Sequence, residues 1–583
     1  MGNMVKPFLQ GRRLLETFLV LCLLVYVMDL PSAAKAAGKV NKHVWDVRYN
    51  YVSPDCYKKL AITINGLVPG PTIHAVEGET VVVQVTNSLV TENVAIHWHG
   101  IRQIGTPWSD GTESVTQCAI QPGDTFVYQF VVDKAGTYMY HAHYGMQLGD
   151  GIYGMIRVKA AHKEPFAYSS EHEILLSDWY HKNAYEHAID LSSEPFVWVG
   201  EPNSVLIQGR AFACNEPGTE AGQCKEPNRK CSPFSLNVRP GRTIRLRIGS
   251  LTALSTLSFE IEDHEMTVVE ADGNYVEPFK VKHLYLYSGE TYSVLIKTSP
   301  KKDRSRNYWM VAKVVSRESS TPSGLAILNY NFNPPLALPP TDPPVGPHWN
   351  DTSDRIDQSV AVKAHHAYLN PPPKKSDRTI ILLNTQNKID GKVRWSLNNV
   401  SLNLPHTPYL IALKENLSYV LDHKMPPDSY DVENYDIHSV PKNTEAHPST
   451  GGLYRLKFNS IVDVILQNAN TMTPNVSETH PWHLHGHDFW VLGYGRGKFN
   501  MATDTASYNL GNPIMKNSVP LHPYGWTALR FRADNPGVWA FHCHIEFHFF
   551  LGMAVVFEEG IDQVGELPDS IMGCGETKPF VKP

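Results

Sequence analysis

Phe130, Asp133, Gly136, His141 and His143 each lie 401 positions before a residue of the same type, namely Phe531, Asp534, Gly537, His542 and His544. One strand-turn-strand unit therefore stands near each end of the chain, and such an internal repeat points to duplicated domains rather than to one continuous core. The echo extends upstream, where His97-Trp98-His99-Gly100 is answered by His483-Leu484-His485-Gly486. Alternate side chains of a strand share a face, so each His-X-His directs two imidazoles to one side. Each copy offers two such pairs, and the four pairs converge only if the two terminal domains pack together. A single pair is equally well a polar strand face. Its recurrence gives it weight.

The rest of the chain reads as all-β. Its 583 residues exceed one core, and 42 prolines and 40 glycines punctuate short runs such as Glu79 to Val85 and Phe126 to Val132. The middle third continues the pattern, in Thr243 to Ile248 and Tyr292 to Lys297, but has no paired histidines. Tyr308 to Lys313 stands where a pair would come, so this is a related domain that binds no metal. Residues 333–347 hold seven prolines and Pro371-Pro372-Pro373 follows, which favours an extended connection. The expected domains are 37–164, 165–370 with that connection, and 371–583.

Lys6, Arg12 and Arg13, an apolar run from Phe18 to Met28 and the small residues up to Ala37 form a secretory signal pattern, with cleavage expected after Ala36. The apolar run is shorter than the roughly 20 residues of a spanning helix, so no membrane association is expected after cleavage. A formal net charge of −6 without a basic run excludes nucleic acid as an expected partner. Oligomeric state is left open, a homodimer included. Beyond the signal lie Cys56, Cys118, Cys214, Cys224, Cys231, Cys543 and Cys574. Cys543 is the odd one, and six others in a secreted chain imply three disulfides among 15 connectivities. Asn350, Asn399, Asn416 and Asn475 begin glycosylation sequons.

Cys543 lies in His542-Cys543-His544-Ile545-Glu546-Phe547-His548, with Met553 ten residues on. A thiolate, imidazoles and a thioether are soft ligands that favour copper, and two imidazoles, one thiolate and a distant axial Met make a blue-copper electron-transfer site. If Val538 to His544 is a strand, His542 and His544 face away from Cys543 and serve something else. The blue set is then His480, Cys543, His548 and Met553. The four pairs supply eight imidazoles, enough for three further coppers with room for dioxygen. Four metals match the four electrons that reduce dioxygen to water. His542 and His544 flank Cys543, so a few covalent bonds join the two sites.

These motifs, in this order and spacing, resemble those of the multicopper oxidases over nearly the whole mature chain. Gly105-Thr106-Pro107-Trp108, Val269 to Val276 and Thr479 to Gly495 carry the likeness beyond the ligands, toward the plant branch that oxidises L-ascorbate. The resemblance implies three cupredoxin-like Greek-key β-sandwich domains and four coppers per chain. His480, Cys543, His548 and Met553 would hold the type 1 copper, and His97 and His483 the type 2 copper. His99, His141, His143, His485, His542 and His544 would hold the type 3 pair. It also implies disulfides Cys56 to Cys231, Cys118 to Cys574 and Cys214 to Cys224. Ala142, Leu148-Gly149-Asp150 and the aromatic Phe547, Phe549 and Phe550 depart from the family pattern without removing a ligand.

The implied activity is extracellular oxidation of L-ascorbate by dioxygen, with Trp198 and Trp395 stacking on the substrate and His548 accepting the electron through an exposed imidazole edge. A laccase-like phenol oxidase, a ferrous-iron oxidase and a copper-free cell-wall or adhesion protein are the rivals. Met553 counts against the first, because plant laccases usually carry an aliphatic axial residue. Ten histidines with Cys543 count against the last.

Overall fold

The computed structural model describes residues 39–212, 232–298, 306–330, 333–442 and 445–580. The expected signal segment and Cys214, Cys224 and Cys231 lie outside the described residues. Cys56 is disulfide-bonded, its expected partner being among those.

Among the described residues, six sheets form three pairs. The first pair sets the strands Lys59–Ile64, Val40–Val52, Thr80–Asn87 and Thr125–Val131 against Ile73–Val76, Tyr153–Lys159, Gly136–Ala142 and Ile96–His97. Six- and five-stranded sheets make up the middle pair, eight- and five-stranded sheets the last. Period-2 patterning explains the elements locally. In Thr125–Val131, Phe126, Tyr128 and Phe130 are buried while the intervening residues are exposed. Gly136–Ala142 is instead buried on both faces, because its second face meets other domains.

The repeat holds in register as well as in sequence. His97 lies opposite His141 in the first domain, and His483 lies opposite His542 in the last. One detail differs from expectation. In each His-X-His the first histidine is on a strand and the second lies just past its end, since the strands stop at His97, Ala142, Leu484 and Cys543. The strand expected to run to His544 ends one residue earlier, where the chain turns into the helix Glu546–Phe550.

Two shared cores bring the ligands together. One apolar cluster joins Trp98, Tyr138 and Tyr140 of the first domain to Leu410, Val538, Ala540 and Val556 of the last. A second joins Leu246, Ile248 and Leu254 of the middle domain to Phe541, Cys543 and Met553. Each large side chain buried this way contributes about 1.5–3 kcal/mol. The Cys118–Cys574 disulfide, with Cα atoms 5.7 Å apart, ties the first domain to the C-terminal segment.

The proline-rich connection holds no helix or strand among its described residues. It is fastened along the middle domain by Trp309 Nε1, which donates to the Thr341 carbonyl, and by Lys313 Nζ, which donates to that of Val345. The helix Thr352–Ala361 was not legible, because its buried face consists of Arg355, Gln358 and Ser359 rather than an apolar stripe. No helix among the described residues is long and apolar enough to cross a membrane.

Candidate metal centres

The last domain alone builds one site. Cys543 Sγ lies 3.7 Å from His480 Nδ1 and 3.7 Å from His548 Nδ1, and the two nitrogens are 3.2 Å apart. All three side chains are buried. The backbone holds the fourth residue in place. The Cys543 amide donates to the Met553 carbonyl at 3.1 Å, and the Met553 amide to the His548 carbonyl at 3.0 Å. Burial pushes the Cys543 thiol well above its ordinary range and drops His480 to about 3. A cation reverses the first effect, because a coordinated thiol is deprotonated outright. Among the described residues, Cys543 is the free cysteine.

A second site forms where the two ends of the chain meet. Donor atoms of His97, His99 and His483 lie within 4.8 Å of one another, as do those of His99, His141 and His544, and those of His143, His485 and His542. The eight paired histidines are all buried, and each triad draws on both terminal domains.

Their tautomers test what this site suits. His141 Nδ1 faces the Ala142 carbonyl at 2.9 Å, and His542 Nδ1 faces the Cys543 carbonyl at 3.0 Å, so both must donate. His485 Nδ1 donates to Asp110 Oδ2 at 2.9 Å. His544 Nδ1 faces Ser288 Oγ at 2.9 Å, and because that hydroxyl donates to the Thr252 carbonyl at 2.6 Å it accepts from the imidazole. Desolvation keeps all four rings neutral, with His141 at about 3 and His542 at about 4. Their Nε2 atoms are therefore bare lone pairs. They face each other at 3.2 Å for His141 and His544 and at 3.0 Å for His485 and His542. Facing lone pairs repel unless a cation sits between them, and metal–imidazole bonds of about 2 Å fit this spacing. His99 Nδ1 is likewise buried without a hydrogen-bond partner, and its Nε2 is held by Asn517 and Ser518. The residues present thus fit copper at both sites, with soft thiolate at one and imidazoles alone at the other.

Neighbouring polar and aromatic side chains support the two sites. Glu546 accepts from the backbone amides of Leu148 and Gly149 at 2.8 and 3.0 Å. His487 faces the His485 carbonyl and Glu559 rather than the metal residues. Phe549 packs on His143 and His542 at the cluster, whereas Phe547 packs on Trp198 beside the mononuclear site.

The residues expected to meet a substrate are arranged differently from expectation. Trp198 is 39% exposed, its ring 6.1 Å from that of His548. Trp395 is 1% exposed and packs on both His480 and His548, so it walls the metal pocket and offers no open face. His548, expected to show an exposed edge, is 1% exposed. Its Nε2 lies 3.3 Å from the Glu478 carboxylate, whose side chain is 37% exposed. Sequence reasoning missed Glu478, which lies just before the strand His480–Leu484, where no alternation ties it to His480. Desolvation raises its carboxyl, an effect tempered by its exposure to solvent and by Arg317. Arg317 in turn fastens Glu201, three residues beyond Trp198, at 2.7 Å.

Comparison with known proteins agrees with this architecture. Three multicopper oxidase family models match residues 46–163, 170–333 and 421–563. An L-ascorbate oxidase of Cucumis sativus is 49% identical over 98% of this chain and 96% of its own. Laccase-11 of Arabidopsis thaliana is 35% identical over 94% of this chain and 97% of its own. The crystal structure of a laccase from Botrytis aclada superposes with a TM-score of 0.75 at 26% identity, covering 91% of this chain and 90% of that one. With its three matched domains and near full-length relatives, the chain belongs to the multicopper oxidase family.

Proposed function

We propose that this protein couples the one-electron oxidation of L-ascorbate, to monodehydroascorbate, to the four-electron reduction of dioxygen to water. The observation that carries the reading is the convergence of eight buried imidazoles from both ends of the chain, one strand away from a thiolate pocket. His480, Cys543, His548 and Met553 would hold a type 1 copper, His97 and His483 a type 2 copper, and the other six histidines a type 3 pair. Copper, when bound there, supplies the one-electron redox chemistry and the affinity for dioxygen. The protein supplies position. Buried carbonyls, Asp110 and Ser288 fix which nitrogen faces inward, and Cys543 links His542 and His544 covalently to the mononuclear pocket.

Ascorbate as donor is supported by the higher identity to L-ascorbate oxidases than to laccases, 49% against 35%, and by Met553. The open face of Trp198 suits a flat ring. Trp395 would shape the pocket from behind, and a donor would reach His548 past Glu478. Secretion fits the exposed sequons Asn350, Asn416 and Asn475, while Asn399 is half-buried.

Oxygen uptake by the copper-loaded protein with ascorbate, a methoxyphenol and ferrous iron in turn tests the reading. Ascorbate should be the preferred donor, and a methoxyphenol or ferrous iron turned over faster would overturn it. Trp198→Ala should lower kcat/KM for ascorbate roughly tenfold, equal to about 1.4 kcal/mol of stacking, and spare a small artificial donor. Trp395→Ala should in addition disturb the blue absorption, because that ring packs on two of the pocket's imidazoles.

A further inference from the structure

The middle domain contributes no histidine to either site, yet one of its turns reaches the cluster. Tyr287-Ser288-Gly289-Glu290 joins the strands Leu284–Leu286 and Thr291–Lys297. Ser288 is buried, and its hydroxyl is doubly committed, donating to the Thr252 carbonyl at 2.6 Å and accepting from His544 Nδ1 at 2.9 Å. Gly289 has a φ of +89°, and a Cβ there would come within 3.0 Å of both the His544 and the His99 rings. Only glycine adopts that φ without strain and leaves room for both imidazoles.

The turn is rigidly seated. The Gly289 amide donates to the Ser250 carbonyl at 2.8 Å, and the Glu290 carboxylate accepts from the Tyr287 amide at 3.1 Å. Lys516 Nζ, fully enclosed, lies 3.2 Å from both Glu290 and Asp272. Asp272 also accepts from the Ser518 amide, and Asn517 and Ser518 hold His99 and His483. Two carboxylates of the middle domain thus anchor the segment that orients one histidine of the first domain and one of the last.

A comparison within the repeat isolates the role of Ser288. His141 and His542, equivalent at 401 positions, each donate Nδ1–H to the carbonyl of the next residue. Their orientation is therefore built into their own strands. His544 lies beyond the strand end and finds its acceptor in another domain. We propose that Ser288 is a positioning residue of the cluster, which fixes the tautomer that turns His544 Nε2 inward, and that Ser288 and Gly289 make the middle domain the third wall of the site. This rests on the copper reading above.

The test uses the copper-loaded full chain. In Ser288→Ala, a chelator should extract cluster copper about 10–100-fold more readily than from the parent, as loss of such a supporting partner does elsewhere. KM for dioxygen should rise while KM for the donor and the blue absorption stay at parental values, a split that general destabilisation does not produce. Ser288→Thr, which keeps the acceptor, should restore both. Ser288→Cys keeps the volume with a poorer acceptor and reads the same loss should the alanine variant not accumulate. Parental copper retention and dioxygen KM in Ser288→Ala, or in Ser288→Cys, would overturn the inference alone. A parent that binds no cluster copper would overturn it together with the proposed function.

Discussion

The two sites are built by opposite means. The mononuclear pocket takes its residues from 480–553 of one domain, with Cys543 separated from His548 by 5 positions and from His480 by 63. The cluster pairs nitrogens separated by 386, 399 and 403 positions. One draws its donor side chains from a single domain; the other draws them across an interface. Perturbations should therefore separate them. The largest separation is expected from Cys543→Ser, which removes the thiolate at which the covalent route begins but none of the eight imidazoles. Blue absorption and nearly all turnover should vanish while cluster copper stays bound. A mutant that remains blue would show that the colour arises elsewhere.

Striking at the interface should do the reverse. The Cys118–Cys574 disulfide closes a loop of 456 residues and tethers the first domain to the C-terminal segment. Removing it in a Cys118→Ala/Cys574→Ala variant should cost about 2–4 kcal/mol of stability. Cluster copper should be released on mild heating before the blue site is lost. Simultaneous loss of both would mean that the tether does not act through the cluster interface.

The same contrast decides what could be read from the sequence. The eight converging histidines were legible because a repeat displays them as like pairs in each terminal domain, and the thiolate pocket because Cys543, His548 and Met553 are close neighbours in the chain. Glu478 was not, since a single glutamate carries no periodic signal, and only the fold sets it against His548. Ser288 is further out of reach, because serine is common and its acceptor role exists only once a second domain docks. Trp395 shows the opposite failure. Its identity was noticed, but its burial behind two imidazoles depends on the sheet that surrounds it. Patterned chemistry is legible, whereas chemistry made by docking is not.

Acid offers a gentler way to pull the two sites apart. Unfolded histidines titrate near 6.5, but burial holds His141 at about 3 and His542 at about 4 in the folded chain. Below pH 6.5 the unfolded chain takes up protons that the folded one refuses, so stability is fully present above 6.5 and falls as pH drops toward 3. Protons also compete with copper for the imidazoles. Eight buried imidazoles at the cluster against two at the mononuclear pocket make the interface the more acid-sensitive region. Copper counted after gel filtration across pH 7 to 4 should fall at the cluster first, and earlier loss of the blue band would reverse that ranking.

The smallest effect should come from Met553→Leu, which changes one ligand without disturbing the frame. Met553 is fully buried among Phe541, Cys543 and Leu551, and leucine fills nearly the same volume, so the swap should cost less than about 1.5 kcal/mol. The backbone bonds that hold position 553 against Cys543 and His548 do not involve its side chain. Copper should therefore remain bound. The thioether, however, is a weak axial donor, and such a donor is one of the levers that set the potential of a blue site. Without it the oxidised metal loses some stabilisation, and a redox titration should show the potential raised. KM for dioxygen should stay at the parental value, because the cluster shares none of this pocket's four side chains. An unchanged potential would mean that Met553 is core packing alone, and that the pocket depends on only three of its own residues.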